Sequence, residues 1–345
     1  MRHDPVLIAD VVRALAPQAG DLIVDGTLGG GGYAQAILAA ADCRVLGVDR
    51  DPDAIARGAE LATRLPGRLS LFLGNYSDLG AALASIGAPS CAGIVLDLGL
   101  SSFQLDDPDR GFSFLRDGPL DMRMARVGPC AADIVNTWDE RRLADAIYLY
   151  GEERHARRIA RAIVADRKDR PFTSTGELAR LVESVKGGRR GDPTHPATQT
   201  FQALRIVVNA ELDHLNMVLI AAEHALAPGG RLVIVSFHSL EDRAVKSFLT
   251  LRCGRQPEMS RHLPAAGSPH APSFELISRK PITPGPEEVD ANPRARSAKL
   301  RAARRTGAPA WPDEPLPVSA DARGLQADRP VGRRPSGIRR PMSPS

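Results

Sequence analysis

Residues 22–33 read Leu-Ile-Val-Asp-Gly-Thr-Leu-Gly-Gly-Gly-Gly-Tyr, and the fold is decided by this stretch. The apolar run Leu22-Ile23-Val24 has the form of a short buried strand ending in Asp25. Glycines after a strand let the backbone approach a ligand closely. Ala34-Gln35-Ala36-Ile37-Leu38 then opens a helix, and a second apolar run, Val45-Leu46-Gly47-Val48, ends in Asp49. Strand, glycine turn, helix and a second strand ending in an acid form one half of a nucleotide-binding α/β sheet, with the acid suited to a ribose diol.

The same rhythm runs outward. Apolar runs bounded by turn residues predict strands near 22–25, 45–49, 69–73 and 93–97, with helical patterns between them. That alternation specifies βαβ units and a parallel sheet. After Leu96-Asp97-Leu98-Gly99 the rhythm stops. Residues 101–138, rich in Asp, Gly, Pro and Arg, read as extended loops, followed by helices near 139–149, 152–167 and 176–186. Ser174-Thr175-Gly176-Glu177 is a capping box at the start of the last of these. One long helix is predicted from about 197 to 226, stopped by Pro228-Gly229-Gly230. A strand over 231–236, a helix over 240–249 and a closing hairpin of 273–279 with 297–304 complete the sheet. The expected architecture is therefore a Rossmann-like α/β sheet domain, residues 1–105 and 206–306, interrupted by a helical insertion, 106–205, that recognises substrate. Residues 307–345 form a basic, Pro-rich tail without periodicity, read as disordered.

The 345-residue chain carries a net charge of +4, unevenly spread. Residues 139–205 and 294–345 are basic and the remainder is acidic. That distribution fits a polyanionic partner at two places, or a solvated helix face with a basic tail. The four cysteines lie far apart with no C-x-x-C pair, so reduced thiols in a cytoplasmic protein are expected, with no metal site. No apolar stretch approaches the roughly 20 residues of a membrane span, and the N-terminus lacks the apolar core of a signal peptide.

Gly29-x-Gly31-x-x-Ala34 alone fits NAD as well as other adenosine cofactors. An acid directly before the turn is more typical of S-adenosylmethionine binders. Asp25, Asp49 and Asp97 all sit at strand ends, where ligands collect in a doubly wound sheet. The alternative is that each acid merely caps a helix or turn.

Together the motifs are specific enough to name a family. The chain resembles the RsmH (MraW) family of bacterial S-adenosylmethionine-dependent methyltransferases. The resemblance is carried by His3-Asp4-Pro5-Val6-Leu7, Asp25-Gly26-Thr27 with Gly29 to Gly32, and Asp49-Arg50-Asp51-Pro52. It continues through Asp97-Leu98-Gly99-Leu100-Ser101-Ser102-Phe103-Gln104, Arg110-Gly111-Phe112-Ser113-Phe114 and Gly118-Pro119-Leu120-Asp121-Met122-Arg123-Met124. Tyr150-Gly151-Glu152-Glu153-Arg154, His195-Pro196-Ala197-Thr198, Ser236-Phe237-His238-Ser239 and Asn292-Pro293-Arg294-Ala295-Arg296-Ser297 follow in the same order. The match spans about 1–306. It implies N4-methylation of a cytidine in the decoding centre of small-subunit 16S ribosomal RNA. The resemblance also implies cofactor contacts at Gly31, Gly32, Tyr33, Asp49, Tyr76, Asp97 and Gln104. Tyr33 stands where the family usually has His, and Gln199 where it usually has Arg.

Asp97 is the candidate catalytic residue, as acceptor for the cytosine amine or as a neighbouring cofactor ligand. Phe103, Phe112 and Phe114 either stack on an extruded base or seal the insertion against the core. Arg154, Arg157, Arg158 and Arg161 share one face at i, i+3, i+4 and i+7 and are candidate RNA-phosphate contacts, unless they pair with Glu152 and Glu153. His238 is either a base or a structural hydrogen-bonder. The competing functions are an NAD-dependent oxidoreductase, for which no Tyr-x-x-x-Lys constellation is evident, and a non-catalytic ribosome-binding protein. A homodimer is left open.

Overall fold

A computed structural model describes residues 5–188, 194–254 and 270–312. Helix α1 (Ile8–Leu15) precedes β1 (Leu22–Asp25), and α2 (Gly32–Ala40), β2 (Arg44–Asp49), α3 (Pro52–Arg64), β3 (Leu69–Leu73), α4 (Leu79–Ser85) and β4 (Cys91–Asp97) then alternate. After α5 (Ser102–Asp106) come α6 (Ala131–Thr137), α7 (Glu140–Gly151), α8 (Ala156–Asp166), α9 (Thr175–Lys186) and α10 (Thr198–Asn209). The chain closes with α11 (Glu211–Ala225), β5 (Leu226–Ser236), α12 (Ser239–Arg252), β6 (Phe274–Leu276), α13 (Pro286–Ala291) and β7 (Lys299–Arg305).

The seven strands lie in the order β3-β2-β1-β4-β5-β7-β6. The first five are mutually parallel, while β7 runs antiparallel to both β5 and β6. This is a mixed Rossmann-like sheet flanked by helices. In register, Asp25 lies opposite Gly47 on β2 and Val95 on β4, and Asp97 lies opposite Val235. The sequence order reverses between β1 and β4, so the strand-end acids face the crevice where such sheets bind ligands. β1 is buried at every position, as a central parallel strand covered on both faces must be.

Buried apolar residues form three clusters. Two involve the strands, one around Leu46, Ile94, Phe248 and Phe274 and the other around Ile23, Ile37, Val95 and Leu300. The third contains no strand and runs from Phe112 to Val207.

Four expectations need correction. The predicted long helix is two, α10 and α11, broken at Ala210, which sits in the left-handed region at φ 51°. Val207 packs with the helical cluster and Leu215 with the sheet, so the packing changes at Ala210 rather than at 205. The stretch 101–138 is not all loop, because α6 forms there behind an Asp133 carboxylate that accepts the Cys130 N–H at 2.8 Å. The predicted stop at Pro228-Gly229-Gly230 lies inside β5, where a register shift against β4 absorbs the extra residues. The expected closing pair exists as β6 and β7, but β7 threads between β5 and β6.

The tail expectation also shifts. Trp311 is buried, its indole N–H donating to the Ala271 carbonyl at 2.8 Å and its main-chain N–H to Glu223 at 3.0 Å. The rest of that tail, 313–345, lies outside the described residues. Cys43, Cys91, Cys130 and Cys253 are free thiols. Among the described residues, no helix is long and apolar enough to cross a membrane.

Candidate active site

The glycine turn is fixed by its neighbours on both sides. The Gly26 N–H donates to Val95 on β4 at 2.9 Å, and the Leu28 N–H donates to Val48 on β2 at 3.0 Å. Gly31, at φ 76°, caps α2 in the left-handed region that favours glycine. A Cβ on Gly32 would stand 2.2 Å from the Pro5 ring, so only glycine lets α2 start against the N-terminal segment.

Asp49 closes the turn from below. Its Oδ2 accepts the Gly29 N–H at 2.8 Å and its Oδ1 accepts the Asp51 N–H at 2.8 Å. Each carboxylate oxygen has a second lone pair, so the side chain can anchor the loop and still accept from a ligand. Burial raises its pKa against the opposing effect of these two N–H donors.

Asp97 ends β4 beside the turn, its main-chain N–H donating to the Thr27 hydroxyl at 2.7 Å. Its Oδ1 and the Oδ2 of Asp25 are buried with no hydrogen-bond partner among the described residues. Burial pushes the Asp97 carboxyl well above the usual range, with Asp25 and Glu241 adding to it. Burial likewise takes Asp25 up to about 7, against the Thr27 N–H and with the repulsion of Asp49. The donor-free Asp97 oxygen borders the crevice, with the negative charge of Asp25 behind it, and a cationic ligand there would favour the ionised forms of both.

Thr27, Asp49 and Asp97 line a cavity of about 960 Å³, and the fully buried Asp25 lies outside that lining. One wall is the glycine turn with Asp49 and Tyr76, and another is the loop after β4 with Phe103 and Gln104. Phe112, Phe114 and Phe201 from the helical cluster, with His195 against Phe114, form the far side. Of the three phenylalanines, Phe112 is buried in that cluster. Phe114 packs on His195 at 4.5 Å and meets Phe201 edge-on at 4.8 Å. Phe103 is 43% exposed, with the Arg57 guanidinium 4.2 Å from its ring centre.

Other residues singled out from the sequence have mixed fates. Tyr33 is buried and donates its hydroxyl to the Val6 carbonyl, so its phenol is a tie to the N-terminal segment. Tyr76 reaches the Glu211 carbonyl at 3.4 Å, and burial raises its phenol. Gln104 is engaged at both ends, accepting the Ser101 N–H at 3.2 Å and donating to Asp51 at 2.8 Å.

Arg154 precedes α8 rather than sharing its face, because Glu152 is left-handed at φ 52° and the helix starts only at Ala156. Arg157, Arg158 and Arg161 are on α8 and exposed. Arg158 donates to the Val185 carbonyl at 2.8 Å and Arg161 pairs with Glu140 at 3.4 Å. Glu152 and Glu153 pair elsewhere, with Arg243 and Lys186. His238 caps α12 by accepting the Glu241 N–H at 3.4 Å, which is a structural role.

Sequence reasoning gave Thr27 no role of its own and did not connect the charged group at the cavity's edge. Arg205 forks onto both oxygens of Glu211 at 2.8 Å. Ligand atoms of Glu211, His238 and Glu241 lie within 4.8 Å of one another. The bidentate Arg205 already matches the Glu211 charge, which removes the reason for a cation there. No local pattern links these residues; α10, α11 and α12 bring them together.

The MraW methylase family model matches residues 1–306. A ribosomal RNA small subunit methyltransferase H of Hyphomonas neptunium is 56% identical over 312 residues, covering 90% of this chain and 91% of the relative. A protein of the same name from Paramagnetospirillum magneticum is 57% identical over 310 residues, covering 90% and 97%. A solved structure described as a putative rRNA-methylase from Clostridium thermocellum is 12% identical, with a TM-score of 0.39 over 89% of this chain and 99% of that one, too distant to bear on the site.

Proposed function

We propose that this chain, which belongs to the MraW methylase family, methylates the exocyclic N4 of a cytidine in the decoding centre of small-subunit 16S ribosomal RNA. Bound in the crevice, S-adenosylmethionine supplies an electrophilic methyl group on a cationic sulfur. The donor-free Asp97 Oδ1, buried beside Asp25 in a cavity walled by both the sheet and the helical cluster, carries this reading. Family membership sets aside the oxidoreductase alternative.

The chain's own residues divide the work. Asp49 would take the ribose hydroxyls on its remaining lone pairs, the amides of Gly32 and Tyr33 at the start of α2 would face the methionine portion, and Tyr76 would pack near the adenine; Gly31 contributes its left-handed turn, because its own N–H goes to the Leu28 carbonyl at 2.6 Å. The cytosine amine is a poor nucleophile because its lone pair is delocalised into the ring. Catalysis therefore rests on holding it in line with the methyl carbon. Asp97 accepts a hydrogen bond from the amine and turns its lone pair toward the methyl group; the new N–C bond would replace the methyl–sulfur bond, and the N4 proton so displaced would pass to the Asp97 carboxylate or to water. The target base must leave its stack to enter the cavity, and exposed Phe103 offers it a face. Arg154 and Arg157 suit the flanking phosphates.

The test is transfer of labelled methyl from S-adenosylmethionine to small subunits lacking the modification, followed by nucleoside analysis. N4-methylcytidine, lost in the folded Asp97→Ala variant, is the expected product. Label in any other nucleoside would overturn the assignment.

A further inference from the structure

Asp49 is held by a chain of contacts that leaves the sheet. Its Oδ1 accepts the N–H of Asp51 at 2.8 Å. The Asp51 carboxylate, 1% exposed, is itself fully engaged. One oxygen accepts the Asp53 N–H at 3.1 Å and caps α3. The other accepts the Gln104 amide and Nη1 of Arg110, each at 2.8 Å. Arg110 lies in the segment between β4 and α6. Its Nη2 donates to the carbonyls of Arg123 at 3.0 Å and Met124 at 2.8 Å.

That same segment is clamped from the other side. Asn209 donates to the Met122 carbonyl at 2.7 Å and accepts the Met124 N–H at 2.9 Å, while its own carbonyl accepts Arg50 Nη1 at 2.9 Å. The two residues that follow Asp49 are therefore both anchor points of the inserted segment. A carboxylate as buried as Asp51 is tolerated only when paired. Here burial would raise its pKa, and the Arg110 and Gln104 contacts outweigh that and keep it ionised.

We propose that Arg110 is a positioning residue for the cofactor's ribose: through Asp51 it holds the Asp49 carboxylate in the orientation that accepts the diol. The inserted segment thereby completes a cofactor subsite whose hydroxyls it never touches. The proposal rests on the reading of Asp49 as the ribose acid. Lysine at 110 keeps the charge but cannot reach the carboxylate and two carbonyls together, because its ammonium is a point donor rather than a fork.

The experiment measures equilibrium binding of S-adenosylhomocysteine and of its 2′,3′-dideoxy analogue to the full chain, with thermal melting as a folding control. The wild type should prefer the hydroxylated ligand by about tenfold or more, and Asp49→Ala should abolish the preference. Arg110→Lys and Arg110→Gln should reduce it by about threefold or more while leaving affinity for the dideoxy analogue within about twofold. If Arg110→Gln fails to fold, Arg110→Lys carries the test alone. Equal weakening of both ligands in the Arg110 variants, with the preference intact, would mean a merely structural residue and overturn the proposal. A preference that survives Asp49→Ala would overturn the ribose reading itself, and the proposal with it.

Discussion

The main-chain N–H of Asp97 donates to the Thr27 hydroxyl at 2.7 Å, so the acid that ends the fourth strand is held by the turn that follows the first. Replacing Thr27 by Val keeps the shape and removes the acceptor. A buried amide left without a partner costs about 1–3 kcal/mol. Thr27→Val should lose that much in denaturant unfolding and bind S-adenosylmethionine more weakly, whereas Thr27→Ser should recover both. Equal behaviour of the two variants would show that the hydroxyl is idle.

Asp25 gives the fold a pH dependence of defined sign. Burial brings its carboxyl to about 7 in the folded chain, above the roughly 3.9 of an unfolded aspartate. Between those values the folded state binds more protons, so the Asp25 contribution to stability falls as pH rises from about 4 to about 7 and is level above. Asp97 is shifted in the same direction. The measurement is unfolding free energy against pH for wild type and Asp25→Asn. The difference between the curves should widen at about 1.4 kcal/mol per pH unit at most across that window, and parallel curves would refute the assignment.

In the proposed reading, Asp97 borders the cationic end of the cofactor, with Asp25 just behind it. A nearby positive charge favours their ionised forms. Binding of S-adenosylmethionine near neutral pH should therefore release protons, and more of them than S-adenosylhomocysteine, which lacks the sulfonium charge. Titration calorimetry in two buffers of different ionisation enthalpy reads this directly, and identical proton release for the two ligands would count against the placement.

The four arginines named from the sequence are not equivalent. Arg158 and Arg161 already have partners in Val185 and Glu140, while Arg154 and Arg157 are exposed and show no side-chain bond among the described residues. Removing one phosphate-binding side chain should lower the slope of log K against log salt by about 0.7–0.9. Arg157→Ala should show that drop in RNA binding and Arg161→Ala much less; an unchanged slope for Arg157→Ala would exclude it from the interface.

Trp311 closes over a buried ion pair. Glu223 and Arg252 meet at 2.6 Å, almost fully buried, with the guanidinium 4.6 Å from the indole ring centre. Opening this site exposes the pair and leaves a void, and large-to-small changes of this kind cost about 3–5 kcal/mol. Trp311→Ala and a chain ending at 306 should both melt earlier than a chain ending at 312. Coincident melting of the three would show the indole packing to be inert.

The strand ends were legible because parallel strands leave continuous apolar runs, and each of those at Asp25, Asp49 and Asp97 stops at an acid. The break at Ala210 was not, because the residue that turns left-handed there is an alanine, which favours the helix. What compensates the left-handed residue is remote: Asn209 serves Met122, Met124 and Arg50. Arg154 falls outside α8 for a related reason: the left-handed residue after α7 is Glu152 rather than the adjoining Gly151, and the next helix starts only at Ala156. Tyr33 looked like a cofactor-facing substitution, yet its hydroxyl bonds to Val6, a partner that sequence spacing does not reveal.

The pairing of β4 with β5 has a consequence for how the chain assembles. Asp97 and Val235 lie side by side in the sheet, yet the whole inserted segment is spelled out between them. Contacts of such long sequence separation form late, because chain entropy is lost before they reward it. The helical cluster has its own apolar interior, so its collapse brings the ends of that excursion together and shortens the loop the sheet must close. Connectivity makes the β4–β5 pairing, with Asp97 opposite Val235, the longest-range closure of the sheet, and the inserted helices are what shortens it.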